Sequence, residues 1–212
     1  MTSSSSQPPD DFDEDARLML SVQADDPLAF EQLMQRNQSR VAAFLLRLVG
    51  NQQLAEDLTQ EVFMRVYQHR ATYRQEARFT TWLYRVAHNV AYNALRAKSR
   101  RPEALFSGVS KRYPGETTGL GFEESVMAQT NATPTRQIAK VELQQIVRDA
   151  VEKLPPRQRE AIVLSRFNGM SYQEIADVMN MTPQAVKSLL CRARLNLKEA
   201  LTPYVEDGRT PS

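Results

Sequence analysis

Hydrophobic residues recur every three or four positions along most of the chain, which is the period of an amphipathic α-helix. We find no segment with the alternation of a half-buried strand. The pattern predicts long helices over residues 28–49, 51–70 and 79–100, with a short helix over 16–24 before them. Polar residues 37–40 are expected to interrupt the first long helix, and Gly50 to end it in a left-handed conformation.

The periodicity stops in a stretch rich in Pro, Gly and Thr and returns at Arg136. Leu143, Val147 and Leu154 lie on one stripe, and Pro155-Pro156 ends that helix before the next. The fold class is therefore predicted to be all-α, with two small helical domains joined by a flexible linker. The predicted boundaries are a disordered Ser-rich acidic tail at 1–15, an N-terminal domain at 16–101, a linker at 102–135, a C-terminal domain at 136–203 and a disordered tail at 204–212.

The C-terminal domain carries the spacing of a helix-turn-helix. Ser171 and Glu174 form a capping-box pattern at the start of a short helix, and Thr182-Pro183 begins a second helix after a tight turn. In the second helix, a buried face is predicted from Val186, Leu190, Ala193 and Leu197. The opposite face, which would meet the DNA groove, carries Gln184, Lys187, Ser188, Cys191 and Arg192.

Two short helices with a polar outer face also occur in ordinary helical bundles. The two caps, the tight turn and the excess of Lys and Arg over Glu in the second helix favour DNA binding.

Composition excludes several other classes of function. The single Cys191 excludes an internal disulfide or a cysteine-cluster metal site, and the two histidines lack HExxH spacing. With no phosphate-binding glycine loop either, we predict no catalytic residues, no metal site, no cofactor and no enzyme activity. There is no signal peptide and no apolar run of about 18 residues, so we expect a cytoplasmic protein without membrane insertion.

An acidic face is predicted on the second long helix. With Leu58 and Val62 inward, Asp57, Gln60 and Glu61 share the exposed side. This pattern is typical of a solvated helix face, and it equally fits a docking surface for a basic helix of a partner. A metal site at Asp57 and Glu61 is disfavoured because no further ligand stands nearby.

The outer face of the third long helix combines cations with aromatic and amide groups. Arg85, His88, Asn89, Tyr92 and Arg96 recur at spacings of three and four residues, opposite the core stripe. Flat side chains can stack on bases while cations hold phosphates, so the face suits single-stranded DNA. A solvated basic face is the alternative, on which His88 is an ordinary surface histidine.

These features, in this order, resemble the extracytoplasmic-function (ECF) sigma factors of bacterial RNA polymerase. The similar motifs are residues 55–63 (AEDLTQEVF), 79–89 (FTTWLYRVAHN), 154–160 (LPPRQRE) and 169–176 (GMSYQEIA). The resemblance implies a promoter-specificity subunit whose partners are core RNA polymerase and promoter DNA, both duplex and single-stranded. An anti-sigma factor is a further partner common in the family.

Roles for individual residues also follow from the resemblance. Asp57, Gln60 and Glu61 would dock on the clamp helices of the largest polymerase subunit. Thr80 and Asn89, with the basic end of their helix, would capture the non-template strand of the −10 element, with one base flipped into a pocket. The outer face of the last helix would read the −35 element, although Leu189 and Cys191 depart from the residues of many relatives.

The alternative function is an autonomous helix-turn-helix regulator that binds duplex operator DNA without polymerase. The first domain discriminates between the two, because it offers a docking face and an aromatic-basic stripe rather than an evident ligand pocket. The acidic head at residues 10–15 is expected to be a disordered tail, the alternative being a shield over the DNA-binding face.

Overall fold

The computed structural model describes residues 13–100 and 134–206, and all regular structure in these ranges is helical. The helices are α1 (Glu14–Gln23), α2 (Pro27–Val49), α3 (Gln52–Gln68), α4 (Phe79–Arg100), α5 (Pro134–Glu152), α6 (Pro156–Arg166), α7 (Tyr172–Met179) and α8 (Pro183–Glu206), with a 3-10 turn at Arg70–Thr72. The all-α prediction is confirmed. The predicted linker lies almost wholly outside the described residues.

Capping side chains mark where the N-terminal helices begin. Asp26 and Asn51 accept hydrogen bonds from the free amides of α2 and α3, which have no partner within their own helix. Gly50 ends α2 with φ 67°, the left-handed geometry expected from the sequence. These local signals fix the short turn between α2 and α3, which pack side by side.

The N-terminal domain packs α2 and α3 against α1 and α4. Its largest fully buried side chains include Phe44, Phe79, Met19, Leu33 and Leu83. Burying an apolar side chain of this size contributes about 1.5–3 kcal/mol, so this shared core supplies the main stabilisation of the helices. It holds α3 and α4 in fixed orientations, each with one face left outward.

Part of the acidic head, which the sequence predicted to be a disordered tail, is ordered at the start of α1. Asp13 caps α1 by accepting from the Ala16 amide at 3.1 Å and also accepts from the Phe79 amide at 2.7 Å. Glu14 and Asp15 lie inside α1, so the helix begins before the predicted position of residue 16. Residues 1–12 lie outside the described part of the chain.

The expected interruption of α2 at residues 37–40 is wrong, because α2 is continuous. The Asn37 side chain is buried and donates to the Leu33 carbonyl at 3.0 Å and to Asp15 Oδ2 at 3.1 Å. Asp15 also accepts from Arg36 Nε at 2.7 Å. A polar residue that indicated a break therefore anchors α1 to α2.

The C-terminal domain is built from α5 to α8, with α8 packed on α5, α6 and α7. Helix α8 continues to Glu206 with Pro203 inside it, so the predicted tail at 204–212 begins too early. Leu143, which was expected in the buried stripe of α5, is 58% exposed.

The two domains lie against each other. Helix α4 packs on α7, and α2 packs on α6. The sequence predicted two domains on a flexible tether and gave no sign of this contact.

Candidate functional site

The helix-turn-helix has the geometry that its sequence predicts. Ser171 Oγ accepts from the Glu174 amide at 3.3 Å, while Glu174 Oε2 accepts from the Ser171 amide at 2.8 Å, which completes the capping box. Asn180 ends α7 in the left-handed region with φ 51°. Thr182 Oγ1 then caps α8 by accepting from the Ala185 amide at 3.2 Å. The left-handed backbone of Asn180 and the Thr182 side-chain cap together fix the turn between α7 and α8.

Helix α8 buries one face and exposes the other. Val186, Leu190 and Ala193 are each 0% exposed and seat the helix on the domain core. The predicted DNA-facing set, which is exposed throughout, is Gln184, Lys187, Ser188, Cys191 and Arg192. This surface offers amide, hydroxyl and cationic groups, which can donate hydrogen bonds to base edges and phosphates.

The outer face of α4 is a stack of flat groups. The His88 and Tyr92 rings are 5.9 Å apart with an interplanar angle of 17°, and the Arg96 guanidinium lies 5.8 Å from the Tyr92 ring centre. Arg85 and Asn89 are exposed beside this row. Flat aromatic and guanidinium groups at helical spacing can stack on unpaired bases.

Two of the predicted α4 residues are less accessible than the sequence indicated. Thr80 is half-buried. His88 was expected on a solvated face, but its side chain is only 16% exposed and its Nδ1 lies 2.5 Å from Glu160 Oε1 of α6. The C-terminal domain covers this position, and a contact between residues so distant in sequence leaves no periodic signal.

Further polar contacts line the boundary between the domains. Thr81 Oγ1 donates to Glu174 Oε1 at 3.5 Å, and Asn168 Nδ2 donates to the Tyr84 hydroxyl. Burial raises the pKa of Tyr84 to about 12, so this hydroxyl stays protonated at neutral pH.

Two arginines cross the same boundary. Arg159 Nη1 donates to the Leu48 carbonyl at 3.2 Å, and the Arg47 guanidinium lies 4.4 Å from the ring centre of Phe167. Burial lowers the pKa of both guanidinium groups from the usual arginine value, and nearby Arg148 lowers that of Arg47 further.

The acidic face of α3 is placed as predicted. Asp57 and Gln60 are exposed, whereas Glu61 is half-buried and accepts from Arg65 Nη2 at 2.5 Å. That ion pair offsets part of the negative charge at one end of the face. Within the described residues, no group of acidic, histidine or cysteine side chains is arranged to hold a metal ion.

An apolar groove beside the acidic face escaped the sequence analysis. It lies between α2 and α3 with a volume of about 450 Å³, and its lining includes Phe30, Met34, Phe63, Met64 and Tyr67. Met64 is 61% exposed, although it is a large apolar side chain. Gln60 belongs both to the groove and to the acidic face, so the two form one continuous surface. An exposed apolar patch rimmed by polar groups is typical of a protein-binding surface.

In the part of the chain that the structure describes, no helix is both long and apolar enough to span a bilayer.

Two family models match the chain. The model for sigma-70 region 2 matches residues 33–101, and the model for sigma-70 region 4 matches residues 144–197. The first match covers most of the N-terminal domain, from α2 to α4, and the second covers the helix-turn-helix.

Curated relatives match over almost the whole chain. The RNA polymerase sigma-H factor of Pseudomonas aeruginosa is 32% identical over 92% of this chain and 98% of its own length. The ECF RNA polymerase sigma-E factors of Haemophilus influenzae and Escherichia coli are 33% and 34% identical, each over 90% of this chain. The chain therefore belongs to the ECF group of the sigma-70 family and is an RNA polymerase sigma factor.

Solved structures share the fold. The sigma factor RpoE of Bartonella quintana, in complex with the anti-sigma factor NepR, has a TM-score of 0.61 at 23% identity over 82% of this chain and 96% of its own. CnrH in complex with the cytosolic domain of CnrY has a TM-score of 0.59 at 22% identity over 89% of this chain and 97% of its own.

Proposed function

We propose that this sigma factor directs core RNA polymerase to promoters through three separate surfaces and helps to melt the DNA. One surface holds polymerase, a second holds the unpaired −10 strand, and a third reads the −35 duplex. The observation that carries the proposal is the exposure of most of the predicted binding residues on three different helices, α3, α4 and α8. The chain itself performs no covalent chemistry in this scheme.

The polymerase-binding surface joins the acidic face of α3 to the apolar groove. Asp57, Gln60 and Glu61 would meet a basic stretch of the clamp helices, and an apolar side chain of the partner would enter the groove beside Met64. Charge complementarity of this kind orients a partner and speeds association, while apolar burial supplies most of the affinity.

The −10 surface is the outer face of α4. Asn89, Tyr92 and Arg96 would contact unstacked bases and phosphates of the non-template strand, with Arg85, His88 and Thr80 at its margins. Unstacking a base costs a few kcal/mol, and stacking on side chains offsets that cost. Melting would then favour sequences whose bases fit this face.

The −35 surface is the outer face of α8. Gln184, Lys187, Ser188, Cys191 and Arg192 would enter the major groove, where each base pair presents a distinct set of donors and acceptors. The capped turn before α8 fixes the angle at which that helix meets the duplex.

We further propose that the protein works in the cytoplasm, where core polymerase and promoter DNA are found, and that an anti-sigma factor binds it. The two solved relatives whose folds match are complexes with an anti-sigma factor and with a cytosolic domain.

A mobility-shift experiment separates this function from that of an autonomous regulator. We expect specific binding of genomic promoter fragments by the chain together with core polymerase, and weak, salt-sensitive binding by the chain alone. Tight, sequence-specific binding of a duplex by the chain alone, unchanged when polymerase is added, would favour the regulator.

A further inference from the structure

We propose that helix α1 positions the loop before α4 for reading the −10 strand, through Asp13 at one end of the helix and Gln23 at the other. The loop is residues 74–78, and it leads into Thr80 of the −10 surface. The inference rests on the proposed −10 role of α4. It adds two residues outside that surface, which precede the residues matched by the region 2 model.

Asp13 caps two helices with one carboxylate. Its Oδ1 accepts from the Ala16 amide at 3.1 Å, at the start of α1, and its Oδ2 accepts from the Phe79 amide at 2.7 Å, at the start of α4. Arg78, the residue before α4, has no side-chain oxygen and cannot supply the usual cap. A carboxylate also interacts favourably with the positive end of the helix dipole. The start of α4 is therefore fixed by a residue 66 positions away in the chain.

Gln23 holds the chain just before the loop. Its side-chain amide donates to the Arg70 carbonyl at 2.7 Å and to the Tyr73 carbonyl at 2.9 Å. Asp25, just after α1, accepts from Arg70 Nη2 at 2.8 Å. Since α1 has 10 residues, the contacts made by Asp13 and by Gln23 lie about 15 Å apart along its axis. One helix thus holds the chain on both sides of the loop.

The domain core fixes α1 itself. Ala16, Met19 and Val22 are buried, and Asp15 Oδ2 accepts from the Asn37 amide of α2 at 3.1 Å. Helix α1 packs on α2, on α4 and on the 3-10 turn. The positions of both loop anchors are therefore tied to the packing of the whole N-terminal domain.

Between the two anchors the loop is exposed. Every residue from Arg74 to Arg78 is exposed, whereas Tyr73 and Phe79 on either side are 3% and 0% exposed. The two arginines add cations next to the start of α4. A binding loop whose ends are already fixed loses less conformational entropy when it binds a strand.

The effect of the anchors falls on sequence preference rather than on overall activity. A strand whose bases fit engages the loop, and without the anchors it has to order that loop first. A strand whose bases do not fit leaves the loop unengaged and does not bear this cost. Loss of an anchor therefore lowers the ratio between the two strands, which a change in the amount of active protein does not do.

The test uses the full chain with core polymerase on a library of promoter templates. The library is built on a genomic promoter that the unmodified holoenzyme transcribes, with the −10 element randomised in one set and the −35 element in another. Each template carries a barcode in its transcribed region, and sequencing of the transcripts counts the templates used. Preference at each position is the ratio of transcripts from the best base to those from the worst base.

Gln23→Ala removes both hydrogen bonds to the chain before the loop, and alanine preserves the helix. We expect the −10 preference to fall by about three- to tenfold, with the −35 preference unchanged. Asp13→Ala should act in the same direction, and Asp13→Asn should retain most of the preference, since an asparagine oxygen also caps a helix. The matched control is Gln35→Ala, which removes an exposed glutamine bonded to Glu31 within α2 and should leave both preferences unchanged.

Unaltered −10 preferences in both Gln23→Ala and Asp13→Ala would overturn the positioning role. A parallel loss of preference at the −10 and −35 elements, or loss of all transcription, would overturn it as well, because a general defect in the fold has that effect. Absence of any −10 preference in the unmodified holoenzyme would instead contradict the proposed −10 role of α4, on which the inference rests.

Discussion

At the scale of single residues, the informative side chains are polar groups in unexpected positions. Asn37 indicated a helix break, and Asp15 was assigned to a tail, yet the two are bonded to each other inside the N-terminal domain. Sequence periodicity treats a polar residue as exposed by default. Such a residue can be assigned to the interior only when its partner is known, and these partners lie 22 residues apart.

Asp15 should therefore stabilise the N-terminal domain. We expect Asp15→Ala to lower the free energy of unfolding by about 1–3 kcal/mol, because Arg36 and Asn37 lose their acceptor. Urea unfolding measures the change. Glu14→Ala is the control, since that carboxylate contacts the same arginine but is 63% exposed, and its loss should cost less than about 1 kcal/mol. Equal effects would remove the structural role assigned to Asp15.

The acidic face makes a second residue-scale prediction. Asp57→Lys should weaken association with core polymerase by about tenfold or more, because it reverses a charge at the centre of the proposed docking surface. Glu56→Lys makes the same change in charge one position away. The side chain at that position leaves the helix in a different direction, so the variant should weaken association less. Pull-down or surface plasmon resonance measures both. Identical affinities for the two variants would place the docking surface elsewhere.

At the scale of elements, the helix caps and the outward faces of the helices could largely be predicted from the sequence. The capping box at Ser171, the left-handed Gly50 and the Thr182 cap are local patterns, and each is found where it was predicted. The outer faces of α3 and α8 follow from helical period alone. The groove between α2 and α3 could not be predicted in this way, because its walls come from two helices whose relative rotation depends on the whole core.

The capping box should contribute to the stability of the helix-turn-helix. Ser171→Ala is expected to lower the free energy of unfolding by about 1 kcal/mol, since the Glu174 amide loses its acceptor. Ser21→Ala, at an exposed position inside α1, is the control and should change it by less than about 0.5 kcal/mol. A thermal melt in which both variants behave alike would argue against the cap.

A substitution on the exposed outer face of α8 should change DNA binding without changing the fold. Arg192→Ala should weaken binding of the −35 duplex by about 1–3 kcal/mol if the side chain reads a guanine edge. Arg194→Ala, outside the proposed −35 set, should have less effect on the preference between sequences. Footprinting of the polymerase complex on variant duplexes tests the assignment, and equal weakening on every sequence would identify Arg192 as a phosphate contact.

At the scale of the whole molecule, the arrangement of the domains was beyond sequence analysis. The linker composition correctly separated two helical units, but the contacts between α4 and the C-terminal domain join residues 72 or more positions apart. His88 is an example. Helical spacing predicted that it lies on the outer face of α4, but spacing cannot predict that Glu160 of the other domain contacts it.

The central claim is that the two helical domains together bring polymerase to defined promoter sites. Run-off transcription from genomic fragments tests it most directly, with purified core polymerase in the presence or absence of the chain. We expect discrete transcripts only when the chain is present, and their loss with Asp57→Lys. Transcripts that are the same with and without the chain, while the chain alone binds one duplex tightly, would contradict the account.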